Sequence, residues 1–521
     1  MTRATIPGSH HEPRPDHQVL HRSHPDERVE VSVVLRRPRE AAAIGTRLSP
    51  EAFELLHGAD IVDWDHCYDF LTTPEFNLTV LDTHRSSRRL RVAGTVQKIE
   101  QAFGVQLHVH QAPDGTTYRA HRSPVTIPPH LDGVVTAVLG LDTRPVAKPH
   151  VRRHPNRGVT SHDQQAAGAF TPLQLADLYG FPSSTGAGQT IAILELGGGY
   201  NQKDLNAYFQ SLGIGEPNVT SISVDHAANS PGSDADGEVM LDIEVAGAVA
   251  PAANIVVLFA PNTDAGFLDA INQAVHDTVH RPSILSISWG GPESSWTTSA
   301  MQAMDAALAD ACTLGVTVLV AAGDNGSGDG VDDGRPHADF PASSPHVTAC
   351  GGTTLKASSF TMMQERSPSV TNGSAITSEV VWDTAQDGAT GGGYSSVSKI
   401  PSYQQAGRPY GRQRGIPDCA ANANPETGYI IRLNSASTVL GGTSAVAPLV
   451  AGLVARLNQL LGKSVGFLNP HLYAAPSVCR DITTGSSGVY SASKGWDPCS
   501  GLGVIVGTKL LAALQGQEKP A

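Results

Sequence analysis

The sequence predicts an α/β chain whose large parallel sheet carries helices on both faces, preceded by a smaller α+β unit. Three observations predict it. Short apolar runs at residues 190–194, 254–259, 284–287 and 316–321 alternate with helical stretches at 202–212, 237–249, 265–279 and 298–314. Strands that are apolar throughout are those buried on both faces of a parallel sheet. The first 146 residues have another texture, with short alternating strands around an Asp-Gly turn. Between the two, residues 147–168 (AKPHVRRHPNRGVTSHDQQAAG) are polar, basic and poor in large apolar side chains, the composition of an exposed linker.

Residues 1–27, rich in His, Pro and Arg, are expected as a disordered tail. Residues 29–35 alternate as a strand, and 49–57 open with Ser-Pro-Glu, a capped-helix signature. A strand at 78–81, a helix at 96–103 and strands at 105–110 and 117–119 complete a β-α-β-β-α-β-like unit over 28–146. From 169 to 521 the chain reads as one large α/β domain without internal repeats.

Composition narrows the function classes. Of 521 residues, 40% are hydrophobic and 16% charged, with 53 Gly and 35 Pro, which describes a globular, loop-rich chain. A net charge of −13 supplies no basic field for nucleic acid or anionic lipid. No uninterrupted apolar run approaches the ~18 residues of a membrane span, and MTRATIPGSHHEPRPDHQ lacks the apolar centre of an ordinary signal peptide. The six cysteines are scattered without a CxxC pair. Cys312 and Cys350 read as buried free thiols, while Cys479 and Cys499 flank a C-terminal loop and their pairing stays open.

Four constellations carry candidate chemistry. Gly442-Thr443-Ser444-Ala445-Val446-Ala447-Pro448 precedes an apolar helix at 449–461. That turn sets the Ser444 hydroxyl near a positive helix N-terminus, where developing negative charge is favoured, although a serine there is commonly an N-cap and nothing more. In DGEVMLDIEVAGAVAP at 236–251, Glu238 and Asp242 stand four apart and share a helix face. Val239, Leu241, Ile243 and Val245 leave little room for a solvated acidic face, so the two carboxyls are expected to titrate together, one holding its proton to higher pH. Glu244 lies off that face and reads as solvated or paired. Third, the strand ending at Ala321 runs into Ala322-Gly323-Asp324-Asn325-Gly326, placing Asp324 off the carboxyl end of a parallel strand, where such sheets bind ligands. An Asx turn without chemistry fits the same residues. Fourth, Asp481-Ile482-Thr483-Thr484-Gly485 and Lys494-Gly495-Trp496-Asp497-Pro498 set two carboxylates in Gly-rich loops, the hard oxygen donors Ca²⁺ takes. The spacing is not that of an EF-hand, and two surface turns look alike.

These motifs are joined by Leu194-Glu195-Leu196-Gly197-Gly198-Gly199-Tyr200, Ser286-Ile287-Ser288-Trp289-Gly290-Gly291-Pro292-Glu293, Asp339-Phe340-Pro341-Ala342 and the 495–503 run. In this order they resemble the sedolisin family of serine-carboxyl peptidases, most closely its kumamolisin-like branch, over essentially the whole chain. The resemblance implies a subtilisin-like catalytic domain at 169–521, preceded by a ferredoxin-like propeptide at 28–146 that inhibits and chaperones it. The linker at 147–168 becomes the processing region, with a maturation cut expected between 160 and 170. The implied activity is that of an acid-acting serine endopeptidase made as a self-processing zymogen. Ser444 would be the nucleophile, Glu238 its general base and acid, Asp242 the orienting group and a protonated Asp324 the oxyanion donor; a carboxylic acid donates one hydrogen bond and a carboxylate none. Glu195 and Trp289 would extend the network behind the pair, and Trp289 would wall the cleft. Asp339 would line the pocket for the residue before the scissile bond and favour basic or polar side chains. One structural Ca²⁺ is implied, on the carboxylates of Asp481 and Asp497 and the carbonyls of Ile482, Ser493 and Gly495. Ser493-Lys494-Gly495 stands where similar sequences often carry Gly-Pro-Gly. The expected partners are protein or peptide substrates and the chain's own propeptide, for a secreted monomer.

Rival readings fare worse on the residues. A histidine-dependent subtilisin needs a His-Gly-Thr-His type run facing the serine, and none occurs among the 21 histidines. A catalytically inactive, calcium-stabilised binding protein on the same scaffold would be marked by loss of Glu238, Asp324 or Ser444, and all three are present. Gly197-Gly198-Gly199-Tyr200-Asn201 lacks the GxGxxG spacing of a dinucleotide site.

Overall fold

The computed structural model describes every residue except 1–2, 12–13, 15, 44, 154–167, 359–374, 385–386, 406–410 and 517–521. Its centre is a ten-stranded sheet. The order is Asn218–Ser223, Asn254–Phe259, Thr190–Glu195, Ile284–Ile287, Thr317–Ala321, Thr348–Ala357, Cys419–Asn422, Val504–Ile505 and Cys479–Arg480, with Ile376–Val381 paired beside Thr348–Ala357. Pairing is parallel from Asn218–Ser223 through Val504–Ile505. The expected apolar strands are therefore present, and apart from exposed Asn254 they are buried because helices cover both faces.

One face packs on the Asp236–Val249 and Val446–Leu461 helices, the other on Asp264–His276 and Thr298–Leu314. Every residue of Asp236–Val249 is buried. The 443–461 segment is apolar and long enough to cross a membrane, but 78% of it is buried inside the protein, so it is the core helix of this domain. Of the two alternatives for Glu244, solvated or paired, the first is corrected: it is buried, and it accepts a hydrogen bond from the Arg432 N–H at 2.7 Å. Six free cysteines are present; Cys350, Cys479 and Cys499 are buried, Cys312 only partly so, and Cys479 and Cys499 do not pair.

The N-terminal unit is an antiparallel four-stranded sheet, ordered Thr79–His84, Arg89–Thr95, Arg28–Leu35, Val135–Leu139, with its own apolar core. Ser49 caps the Pro50–His57 helix as expected. A second helix, Ile61–Thr72, capped by Asp60, was not anticipated. The expected disordered tail is also corrected: Ala4–Thr5 pairs with Thr126–Ile127, and Gln18–Arg22 pairs with His108–Gln111. These short strands find edges already formed by the rest of the unit, a tertiary opportunity that composition does not show.

The two units dock through the Asp264–His276 and Thr298–Leu314 helices. Asp310 is fully buried between the guanidinium groups of Arg88, at 2.6 Å, and Arg37. Asp269 accepts from Ser32 at 2.7 Å and pairs with Arg89 at 2.8 Å. Apolar side chains Val34, Ala137, Leu139, Val146 and Ala147 join the cluster around Phe267, Trp296 and Leu308. Ala147, the first residue of the linker expected to be exposed, is thus buried.

Candidate active site

Three elements bring the predicted residues together at the carboxyl ends of the central strands. The Asp236–Val249 helix carries Glu238 and Asp242, and its first turn is tied down by Asp236, which accepts from the N–H groups of Gly199 (3.0 Å) and Gly232 (2.6 Å). Gly198 adopts φ +72° with its Cα against the Ala235–Asp236 backbone, where a Cβ would come within 2.7 Å. The glycine run therefore lets a loop pack on a helix start. The strand Thr317–Ala321 delivers Asp324, and the turn 442–445 delivers Ser444 ahead of the Val446–Leu461 helix. Ser444 makes no capping hydrogen bond to that helix, which excludes the simple N-cap role.

Ser444, Glu238, Asp242, Asp324 and Glu195 are all buried to 1% exposure or less. The Ser444 hydroxyl donates to the Ser288 carbonyl at 3.3 Å. Neither Glu238 oxygen meets hydrogen-bonding geometry with any partner. Burial first, then the charges of Asp242 and Glu195, push the Glu238 pKa well up; the nearby Ser444 hydroxyl opposes this. Asp242 is pushed up by burial and held against it by the Ser288 hydroxyl, which donates to Oδ2 at 2.7 Å. Behind them Glu195 accepts from the Trp289 indole N–H at 2.9 Å and is likewise raised by burial and by Asp242. Three carboxyls within one dry cluster cannot all ionise cheaply, so protons are shared among them.

Asp324 is asymmetric. Its Oδ1 accepts from the Thr443 N–H at 2.8 Å and the Thr443 hydroxyl at 2.9 Å, while Oδ2 has no hydrogen-bond partner. Burial raises its pKa, outweighing His150, the Thr443 donors and Arg152, whose Nε lies 3.6 Å from Oδ2. The free Oδ2 is then the oxygen on which a proton would sit.

Residues of the 147–168 linker occupy this site, a feature the sequence reading did not foresee. Lys148–Pro149 pairs antiparallel with Trp289–Pro292, and Arg152–Arg153 pairs antiparallel with Ala436–Gly441. Between the two ladders, His150 donates its N–H to the Ser288 carbonyl at 3.0 Å, and its own carbonyl accepts from the Ser444 N–H at 3.0 Å. The first part of the 147–168 linker is consequently held rather than free: both edges satisfy its backbone and His150 is buried, while Lys148 and Arg153 stay exposed. Gly442 (φ +103°) makes room for this; a Cβ there would lie 2.2 Å from the His150 carbonyl oxygen and 2.5 Å from Asp324 Oδ2. The expected cut between 160 and 170 lies largely outside the described residues.

The His150 ring enters a pocket floored by Asp339, with Nε2 3.1 Å from Oδ2. Gly290 forms one wall, where a Cβ would meet Asp339 Oδ1 at 2.2 Å. A second carboxyl, Asp329, borders the same space, and both are pushed well up by burial. Asp329 was missed because only the fold brings it beside Asp339.

The C-terminal loops also meet. Asp497 accepts from the N–H groups of Ser493, Cys499 and Ser500 at 2.9–3.0 Å, and Asp481 accepts from the Gly495 N–H at 2.8 Å. The Ser500 hydroxyl lies 3.3 Å from both Asp497 oxygens and 3.5 Å from the Ile482 carbonyl, so these oxygens face one point. The Asp497 carboxylate and the Ile482 carbonyl are hard oxygen donors of the kind a hard cation takes, with Asp481 on the neighbouring loop. No cluster of three or more His, Cys, Asp or Glu ligands occurs among the described residues.

Comparison with known proteins gives the same picture. Residues 35–144 match the family described as Pro-kumamolisin, activation domain, and residues 218–475 match the Subtilase family. The chain is 48% identical to kumamolisin of Bacillus sp. (strain MN-32), covering 94% of this chain and 92% of that protein. It is 28% identical to sedolisin of Pseudomonas sp. (strain 101), over 84% of this chain and 76% of that one. Among solved structures, Pseudomonas sedolisin, a serine-carboxyl proteinase complexed with two molecules of pseudo-iodotyrostatin, matches with TM-score 0.60 and 29% identity, covering 67% of this chain and 99% of that chain.

Proposed function

Because this chain belongs to the kumamolisin branch of the sedolisin family of serine-type peptidases, we propose that it is an acid-acting endopeptidase zymogen whose first substrate is its own His150–Val151 bond. The observation that carries this reading is the His150 carbonyl, hydrogen-bonded to the Ser444 N–H beside Asp324 Oδ2, which accepts no hydrogen bond.

In this mechanism Ser444 Oγ attacks the carbonyl carbon while Glu238 takes the hydroxyl proton. Asp242, fixed by Ser288, raises the proton affinity of Glu238 through its charge. The oxyanion is met by the Ser444 N–H and by neutral Asp324, donors aimed where charge develops. Collapse breaks the C–N bond, Glu238 passes its proton to the departing amine of Val151, and water hydrolyses the acyl-serine by the same route in reverse. Because Asp324 donates only when protonated, activity is lost as pH rises through its raised pKa. Activity falls at the acid end as the Glu238–Asp242 pair becomes fully protonated.

Asp481, Asp497 and the carbonyls of Ile482, Ser493 and Gly495 would hold Ca²⁺, which would supply charge neutralisation and cross-link the two loops. Chelation with EDTA is expected to lower the unfolding midpoint, and a midpoint indifferent to chelator and to added calcium would remove the ion from this account.

The deciding experiment acidifies purified protein and a Ser444→Ala control, following chain length, casein hydrolysis and new N-termini. The expected result is a terminus at Val151, followed by proteolytic activity, in wild type alone. A folded protein that neither cuts itself nor hydrolyses casein anywhere in the acid range would leave a catalytically inactive binding protein on a peptidase scaffold.

A further inference from the structure

Upstream of His150, the strand ladder ends where Lys148 faces Gly290. The chain is still held beyond that point, by a single side chain. Asn262 Oδ1 accepts from the N–H groups of Val146 and Ala147, each at 3.1 Å, and its Nδ2 donates to the Ala147 carbonyl at 2.8 Å. Counted back from the His150–Val151 bond, Ala147 is the fourth residue and Val146 the fifth.

Asn262 is fixed in place. It precedes the Asp264–His276 helix, whose first turn Thr263 caps, and Gly266 packs so tightly on Pro261 that a Cβ would lie 2.3 Å from the Pro261 carbonyl. A carboxamide that accepts from one residue's N–H and donates to the same residue's C=O imitates the edge of a strand. It touches only main chain, so it reads the presence of a peptide at that position and not its side chain.

We propose that Asn262 is a substrate-binding residue, extending the cleft past the Trp289–Pro292 edge to grip the main chain of a polypeptide at the fourth position before the scissile bond. The inference rests on reading residues 146–153 as lying in the manner of a substrate. Its consequence is a preference for polypeptides that reach at least four residues upstream of the cut. Such a preference belongs to an enzyme that cleaves within chains.

The test uses acid-matured enzyme and quenched-fluorescence peptides sharing one sequence from the third residue before the cut onward. The series begins at the third, fourth, fifth or sixth residue. For wild type, kcat/KM is expected to rise about tenfold between the third and fifth, as two or three neutral hydrogen bonds would give. Asn262→Leu, which keeps the volume and removes both hydrogen-bonding groups, is expected to cut that rise to less than about threefold. Asn262→Ala serves if the leucine variant does not mature. A wild type indifferent to length overturns the proposal. So does a variant that loses the same factor at every length and keeps the wild-type rise, because Asn262 would then only anchor the propeptide. If wild type cleaves none of the peptides, the peptidase reading itself fails.

Discussion

A buried carboxyl without a hydrogen-bond donor is costly, and Glu238 has two such oxygens. Glu238→Gln should therefore leave the unfolding midpoint unchanged or raised while reducing kcat by about 10³-fold or more, as removing an essential base does. Asp324→Asn tests a finer point, because an amide donates at every pH. If Asp324 acts as a neutral donor, the variant should keep part of the activity, and its profile should lose the decline that wild type shows as pH rises. A pH–rate curve for kcat/KM measures this, and an unchanged alkaline limb would remove Asp324 from the oxyanion site. The buried carboxyl pair was legible in the sequence for local reasons: four-residue spacing puts Glu238 and Asp242 on one face, and apolar neighbours exclude water from both; the roles expected of Ser444 and Asp324 came from the family resemblance. His150 and Asn262 were not, because no local pattern marks a side chain whose partner lies over a hundred residues away; Asp329 was not, because only the folded loop turns it toward Asp339.

The element that most constrains the zymogen is the Thr298–Leu314 helix, which offers Asp310 to two guanidinium groups of the propeptide. Removing one member of a buried charge cluster leaves the others unpaired, at a cost of about 3–5 kcal/mol. Asp310→Ala in the Ser444→Ala background should lower the unfolding midpoint of the uncut protein by several degrees and reduce its soluble yield. At this scale the sequence served well for strands: residues 254–259 and 284–287 form the strands Asn254–Phe259 and Ile284–Ile287, because runs buried on both faces are mostly apolar. It served poorly for Ile61–Thr72, a helix whose Ile61, Val62 and Tyr68 are exposed and so blur the apolar stripe. The strands at 4–5 and 18–22 were hidden in a polar tail because their stability comes from edges provided elsewhere.

For the whole molecule, acid acts in two senses. Asp264 lies at the docking surface, accepting from the Gly140 N–H at 3.0 Å; burial and neighbouring Asp142 raise its pKa to about 7, against the Gly140 and Ala265 N–H groups. Asp225 is also raised to about 7, by burial and Asp269, although Arg91 and Arg89 oppose it. If undocking returns these groups toward ordinary carboxyl values, the docked form binds more protons. Their stabilising contribution is then full below the ordinary carboxyl range and is lost progressively as pH rises to about 7. A separately produced propeptide should thus bind the mature Ser444→Ala domain roughly tenfold or more tightly at pH 5 than at pH 7, and calorimetry at the two values checks the sign. Acid would tighten the grip of the inhibitor while arming the groups that cut it, so cleavage has to precede release.

The segment that crosses the cleft is covalently continuous with the propeptide, whose docked sheet holds its upstream end in place. Its local concentration at Ser444 is a property of the fold and owes nothing to the number of molecules in solution. The first cut should therefore obey first-order kinetics, with a half-life unchanged when the zymogen is diluted a thousandfold. Every later encounter with a foreign chain is bimolecular, so dilution separates the birth of the enzyme from its working life.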